Sequence, residues 1–379
     1  MADSDMIAGA VLTVDLPALI ANYQRLRERV APASLAAVVK ADAYGLGATT
    51  VVPALVASGC EHFFVAHLSE ALAIRPLVPS GSLIYVLNGL IAGAEELCAD
   101  NAVVPVLNSF AQAQRWLALA KRRMCPLPAV LQVDSGMSRL GMTLQDIDQL
   151  AQDPSFRRYV MVRCVMSHLA CADEPANGAN EAQCQQFEAL AASFPGVARS
   201  LANSGGCLLG EAFHGDLARA GIALYGGDPA DGPEPPFAPV VRLDARVIQL
   251  RTVPDGTGVG YGLDWQAKGE RRLATLSIGY ADGWLRSLAG RGAAWFGDVR
   301  LPIAGRVSMD SMTVDVTALS PGVLAEGDLV ELIGPHQRLD DVARDAGTIS
   351  YEILTRLGTR FARQVRPLEC PTPALEVLA

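Results

Sequence analysis

The 379-residue chain is short of several things, and each shortage removes a class of protein. Charged residues make up only 19%, below the ~25% of an average soluble domain, so little of the chain can be a solvated charged tail. Basic residues are outnumbered 31 to 40, for a formal charge of −9. Broad recognition of a nucleic-acid backbone needs a basic face and is excluded, whereas a small anion held by one or two arginines is not. No apolar run approaches the ~18 residues that mark a membrane span. The opening MADSDM is acidic where a secretory leader would be basic. The eight cysteines, at 60, 98, 125, 164, 171, 184, 207 and 370, include no C-x-x-C pair. They read as buried thiols in a reducing compartment, and a chain of this length needs no disulfide or metal staple to fold. The expectation is a cytoplasmic protein that engages neither nucleic acid nor membrane. His62, His67, His214 and His336 have no metal-ligand spacing, so no metal is expected. GTGVGYG lacks the G-x-G-x-x-G spacing and opens no helix, which removes the dinucleotide fingerprint. No repeat of solenoid period and no low-complexity tract occurs.

What is present is a rhythm. From about residue 35 to 225, short, nearly continuous apolar runs recur near Val38, Val65, Tyr85, Val104, Leu131, Val165, Leu201 and Ala223. Strands buried on both faces read this way. The intervals hold helix-like segments such as LSEALAIRPL, with Ser69 as a plausible N-cap, and SFAQAQRWLALAKRR, as parallel strands require. Eight such units predict an α/β fold, a (β/α)8 TIM-like barrel, with a doubly wound sheet as the alternative. The segment 227–239 then carries prolines at 229, 233, 235, 236 and 239. Neither a helix nor a central strand survives that density. Beyond it, VRLDARVIQLRTV, RRLATLSIG, VRLPIAGRV, TVDV and DLVELIG predict a mostly β domain, followed by a helical segment, DVARDAGTISYEILTRLGTRFAR. The expected domains are 1–235, the barrel, and 236–379, the β-rich part.

Functional residues of such barrels sit at the C-terminal ends of strands. Those positions hold Lys40, Arg139, His168, Asn203–Ser204 and Arg219, with Gly221–Ile222 just beyond. A single lysine after an apolar run is more often a strand end reaching for water, but polar groups at five strand ends of one rim are harder to dismiss. The glycine-containing ANSGG and RAGI fit a phosphate cradle of backbone N–H groups and a hydroxyl. A lysine at one strand end and such a cradle at two others suggest pyridoxal 5'-phosphate held as a Schiff base.

The order of blocks sharpens this. AVVKADAYGLGA (37–48), VDSGMSRLGM (133–142), SHLACADE (167–174), ANSGG (202–206), RAGIALYG (219–226), GVGYGLDW (258–265), SIGYADG (277–283), AGRVSMDSMTVDV (304–316) and SYEILTRLGTRFAR (350–363) follow one another along the chain. Together they resemble the alanine racemases over essentially the whole length. The resemblance implies a pyridoxal-phosphate enzyme that interconverts L- and D-alanine as a head-to-tail homodimer, supplying D-alanine for cell-wall precursors or degrading alanine. A racemase of broader specificity, acting on serine for example, is the alternative within the family. Position by position, it implies that Lys40 holds the cofactor and moves the proton of the D-enantiomer. Tyr261, from the partner subunit, would be the opposing base for the L-enantiomer. Tyr44, Ser204, Gly221, Ile222 and Tyr351 match phosphate contacts. Arg219, supported by His168, matches the arginine at the pyridine nitrogen. Arg139 and the backbone of Met309, from the other chain, match the substrate-carboxylate contacts, and Tyr280 and Asp310 fall near the partner's site entrance.

Two residues carry mechanistic weight. A guanidinium stays protonated, so Arg219 would donate a hydrogen bond without giving up its proton. A related barrel decarboxylase would need an acidic residue there, and a silent cofactor carrier would lack a domain bearing Tyr261. The cations around the site, taken as Arg139, Arg219 and His168, would lower the tyrosine's proton affinity. Gln132 stands where many family members carry a carbamylated lysine that braces the carboxylate-binding arginine. A glutamine supplies no anion, so either a bound chloride or a direct Gln132–Arg139 hydrogen bond is expected.

Overall fold

The computed structural model describes residues 7–230 and 237–368. Residues 231–236 of the proline-rich break, and Cys370, lie outside the described residues. After strand β1 (Ala10–Asp15) and a helix (Leu16–Val30) come eight strands. They are β2 (Ser34–Val38), β3 (His62–Val65), β4 (Leu83–Val86), β5 (Val103–Leu107), β6 (Leu127–Gln132), β7 (Val160–Met166), β8 (Ala198–Ser200) and β9 (Leu217–Ala220). They form one parallel sheet in the order β8-β7-β6-β5-β4-β3-β2-β9. The seam between β8 and β9 is drawn together by bonds outside the ladder. Asp216 N–H donates to Arg199 O (2.8 Å), Arg219 N–H to Ala202 O (3.0 Å) and Ser200 Oγ to Leu217 O (2.5 Å). The result is the expected barrel. Strands such as β5, VVPVL, are buried at every position, which is why their sequences read as unbroken apolar runs.

Local chemistry fixes the element ends. The helix Phe110–Arg123 starts where Ser109 Oγ accepts from Gln112 N–H (3.3 Å) and ends in Lys121, Arg122 and Arg123 against the negative end of its dipole. The helix Leu68–Ile74 is capped differently from the expectation at Ser69. Its N-cap is His67, and Glu70 accepts from the backbone N–H groups of Ala66 (2.8 Å) and His67 (2.9 Å). The run near Ala223 also resolves into two parts. The strand is Leu217–Ala220, and Gly221 at ψ −99° turns the chain into a short 3-10 segment, Ile222–Tyr225.

The second group of strands comprises β10 (Val241–Val253), β11 (Gly258–Val259), β12 (Trp265–Gln266), β13 (Arg271–Leu276), β14 (Ala293–Phe296), β15 (Val299–Pro302), β16 (Met312–Asp315), β17 (Leu329–Ile333) and β18 (Ala362–Arg366). β1 joins them. It pairs antiparallel with β10 (Leu12↔Leu243) and parallel with β18 (Leu12↔Arg363). The chain therefore divides into one compact unit of residues Asn22–Phe237 and another that combines residues from Ala238 on with those up to Ala21. At the N-terminus this division differs from the expected one, 1–235 and 236–379. The apolar residues of β1, from Ala10 to Val14, are buried in the β-rich unit's sheet, so this strand groups with that unit. The expected terminal helical segment is two helices, Leu339–Ala346 and Ser350–Arg356, separated at Gly347 (φ 70°), and its last residues belong to β18.

Of the cysteines, Cys60, Cys98, Cys164 and Cys207 are buried free thiols as expected, Cys171 and Cys184 are half-buried, and Cys125 is exposed. Among the described residues no helix is long and apolar enough to cross a membrane, and no cluster of side chains could hold a metal ion.

Candidate active site

The carboxyl ends of the barrel strands gather most of the expected residues. Lys40 follows β2 and is half-buried. The four residues after it are all left-handed, with φ of 53° (Ala41), 54° (Asp42), 53° (Ala43) and 57° (Tyr44). Each such residue costs about 1–2 kcal/mol, so the turn must be held by its surroundings. Asp42 Oδ1 accepts from Ala48 N–H (2.7 Å), Gly45 N–H donates to Ala41 O (2.8 Å), and Gly47 N–H to Asp42 O (2.9 Å). The turn buries Tyr44, whose ring lies 4.6 Å from that of Tyr225, itself donating through Oη to Val38 O (3.0 Å). Burial, the charge of Arg139 and, less strongly, that of Arg219 lower the proton affinity of the Lys40 amine, with Glu70 opposing them. That favours the neutral, nucleophilic form.

Arg219, on β9, is 3% exposed. Its partners are neutral: Ser200 Oγ (2.5 Å), Ser167 O (2.7 Å), Leu201 O (3.3 Å) and His168 Nδ1 (3.4 Å). No described carboxylate forms an ion pair with it, so it is not a structural salt bridge. Burial brings its proton affinity down to about 10, which still leaves it charged at neutral pH. His168 responds to the same surroundings. Burial, then the charges of Arg219, Arg139 and Lys40, push it down to about 3. It is therefore neutral, able to accept from Arg219, and must be removed from the expected set of cations.

Ser204 Oγ accepts from the backbone N–H groups of Gly221 (2.8 Å) and Ala223 (3.4 Å), so the chain around Ile222 presents converging donors to one oxygen. A Cβ at position 221 would run into Tyr44 Oη, so a larger residue there would require the Tyr44 side chain to shift. Arg139 lies exposed on the loop after β6, where Asp134 Oδ1 accepts from Gly136 N–H (2.9 Å) and Ser138 N–H (3.0 Å). The direct Gln132–Arg139 bond is not formed. Gln132 is buried and its Nε2 donates to Leu140 O (3.4 Å), because a buried amide turns to the loop carbonyl within reach while the arginine faces solvent.

Tyr261, Met309 and Tyr351 belong to the other unit. Tyr261 is 72% exposed at the tip of the β11–β12 hairpin, between Gly260 (φ 72°) and Gly262 (φ 79°). Met309 is exposed, and its carbonyl accepts from Ala281 N–H (2.9 Å), while Ser308 O accepts from Tyr280 N–H (3.0 Å). Gly279 permits this crossing, since a Cβ there would collide with both carbonyls. Tyr280 is exposed, Asp310 pairs with Arg360 (2.7 Å), and Tyr351 lies partly exposed on the helix Ser350–Arg356. Ser167, Ser200 and Glu70 were not expected at the site. Their signals were faint: a serine directly before His168, a serine closing a strand, and an acidic residue in the first turn of a helix that follows a strand.

Fold and side chains together define a class, a parallel α/β-barrel enzyme with a half-buried lysine at one strand end and a buried arginine held by neutral acceptors at another. Residues 14–229 match the family described as alanine racemase, N-terminal domain, and residues 240–365 match alanine racemase, C-terminal domain. The chain is 52% identical over 374 residues to the alanine racemase of Brucella canis, covering 95% of this chain and 94% of that one. It is 53% identical over 359 residues to a protein of Rhizobium johnstonii named alanine racemase, catabolic, covering 95% of each. Its fold superimposes on a crystal structure of alanine racemase from Bartonella henselae with covalently bound pyridoxal phosphate. The TM-score is 0.91 at 42% identity, over 95% of this chain and 100% of that one. The chain belongs to the alanine racemase family, isomerases that act on amino acids.

Proposed function

We propose that this protein interconverts L- and D-alanine with pyridoxal phosphate, using Lys40 and Tyr261 as bases on opposite faces of the substrate. The observation that carries the reading is Arg219, a buried guanidinium given only neutral partners beside a lysine whose amine is biased toward its neutral form. The residues present fit the group. Lys40 offers the amine for its aldehyde. Gly221, Ile222 and Ser204, with Tyr44 and Tyr351, would take the phosphate, and Arg219 would donate to the pyridine nitrogen with His168 behind it. When bound, the cofactor withdraws electrons from the substrate's α-carbon and makes its proton labile.

The rest falls to the chain. An α-carbon that inverts must lose a proton on one face and gain one on the other, and a single side chain cannot easily serve both. Lys40 Nζ moves the proton of the D-enantiomer and Tyr261 Oη that of the L-enantiomer. Arg139 and the backbone of Met309 orient the substrate carboxylate. Tyr261 and Met309 act in this reading from a second copy of the chain, so the working form is a homodimer, placed in the cytoplasm. Arg219, which keeps its own proton, would donate a hydrogen bond only and leave proton transfer to Lys40 and Tyr261.

The test is a panel of enantiopure amino acids incubated with protein and pyridoxal phosphate in deuterated water, followed by optical rotation and α-proton exchange. Alanine should racemise fastest. Tyr261→Phe should exchange the α-proton of D-alanine but not of L-alanine. Equal exchange from both enantiomers in that variant removes the two-base assignment, and faster racemisation of serine or basic amino acids removes the named substrate.

A further inference from the structure

The proposed chemistry gives no task to Glu70, a carboxylate whose charge acts on Lys40. Glu70 is the third residue of the helix Leu68–Ile74, directly after β3. Its Oε2 accepts from Ala66 N–H (2.8 Å) and His67 N–H (2.9 Å), an ordinary cap. Its Oε1 does something else. It accepts from the N–H of Ala41 (2.6 Å), the residue that follows Lys40 and begins the left-handed turn. One carboxylate thus ties the chain leaving β2 to the chain leaving β3. A charge-assisted bond of this kind is stronger than a neutral one, and it lands where the backbone conformation is least favourable by itself.

We propose that Glu70 is a positioning residue for Lys40, clamping the amide after the lysine so that Nζ keeps one direction and one charge environment. The proposal rests on the reading of Lys40 as the residue that holds the cofactor and moves a proton. The charges that act on the Lys40 amine include those of Arg139, Glu70 and Arg219, with neutral His168 beside them and Asp42 in the turn that follows. Glu70 is the negative member of those three. A purely structural Glu70 would cap its helix and leave Lys40 indifferent to its loss.

Two variants separate these roles. Glu70→Gln keeps the length but not the charge. Its single oxygen can serve one side, and its amide hydrogens would face donors on the other. Glu70→Asp keeps the charge and is one methylene too short to hold both sides. Lys40 is read first without cofactor, by competitive acetylation across a pH series and mass spectrometry of its peptide. Removing the negative charge should move the Lys40 labelling midpoint of Glu70→Gln to lower pH. With pyridoxal phosphate added, both variants should lose kcat for alanine in both directions, by roughly tenfold to a hundredfold for a misplaced reacting group, with KM nearly unchanged. Variants that melt earlier yet keep the wild-type kcat and the wild-type Lys40 profile overturn the proposal and leave Glu70 a helix cap. If Glu70→Gln does not fold, Glu70→Asp decides by the same kcat reading. A wild-type protein that does not racemise alanine refutes the functional reading instead, and the acetylation profile still decides the role of Glu70.

Discussion

Two arginines, one in each unit, are held in opposite ways. In the barrel, Arg219 is buried and surrounded by hydroxyl, carbonyl and imidazole acceptors, with no carboxylate partner among the described residues. In the β-rich unit, Arg360 is half-exposed and clamped by two carboxylates. It meets buried Asp282 through Nε (2.6 Å) and Nη2 (2.9 Å), and Asp310 through Nη1 (2.7 Å). Asp282 also accepts from Gly279 N–H (3.0 Å), and its carbonyl accepts from Gly358 N–H (3.0 Å). The bracket therefore holds the turns after β13 and before β16 that carry Tyr280 and Asp310. Desolvating a charge without a counter-charge is costly, and evolution has easier ways to fill a core. Arg360 is neutralised where it stands. Arg219 has no carboxylate partner among the described residues, which is consistent with its proposed part as a hydrogen-bond donor to the cofactor.

The comparison predicts opposite consequences for the two residues. Arg219→Gln should lower kcat for alanine by roughly 10²–10³-fold, the usual loss when one preorganised donor leaves a site. Its thermal stability should change little, because removal of a buried charge offsets the donors that Ser200, Ser167 and Leu201 lose. Racemisation kinetics and a melting curve on the same preparation check both halves, and a variant that unfolds would show Arg219 to be structural after all. Arg360→Leu should do the reverse in kind. Leaving buried Asp282 short of two charge-assisted bonds should cost about 1–3 kcal/mol, read from denaturant unfolding. If stability does not fall, the bracket is ornamental and the contrast between the two arginines fails.

How much of this could be read from residues alone follows the same division. The barrel was legible because its strands are buried on both faces and so read as unbroken apolar runs, and because strand ends are where barrel chemistry sits. Lys40, His168 and Arg219 were found that way, and the structure brings them together. The membership of β1 in the β-rich unit was not legible, since a short apolar strand announces its burial but not its partners. The state of His168 was equally hidden. Its charge depends on burial and on cations brought from Lys40, Arg139 and Arg219, residues far apart along the chain. The Glu70 clamp escaped for a related reason, because a helix-capping glutamate looks the same whether or not a second backbone segment reaches its free oxygen.

The histidines offer the finest test, because the two units treat them as they treat the arginines. His168 is pushed down among cations, whereas His336, between Glu331 (3.2 Å) and Asp298 (3.1 Å), is pushed up by the hydrogen bonds of those two carboxylates. The signs of their linkage to folding are opposite. An unfolded His168 takes up its proton near ~6.5 while the folded one resists until about 3, so stability falls as pH drops through that window, by at most ~1.4 kcal/mol per pH unit. His336 is protonated more readily when folded, so its contribution is fully present below ~6.5 and fades as pH rises through its higher folded value. His168→Gln should flatten the acid limb of a stability-versus-pH curve, and His336→Gln should flatten only the part above ~6.5. Ring-proton NMR gives the direct reading, with one histidine resisting protonation under acid and the other holding its proton past neutrality. Two titrations that coincide would mean that the barrel's strand ends are wetter than their contacts indicate, and that the unpaired charge of Arg219 is screened by water rather than held for a ligand.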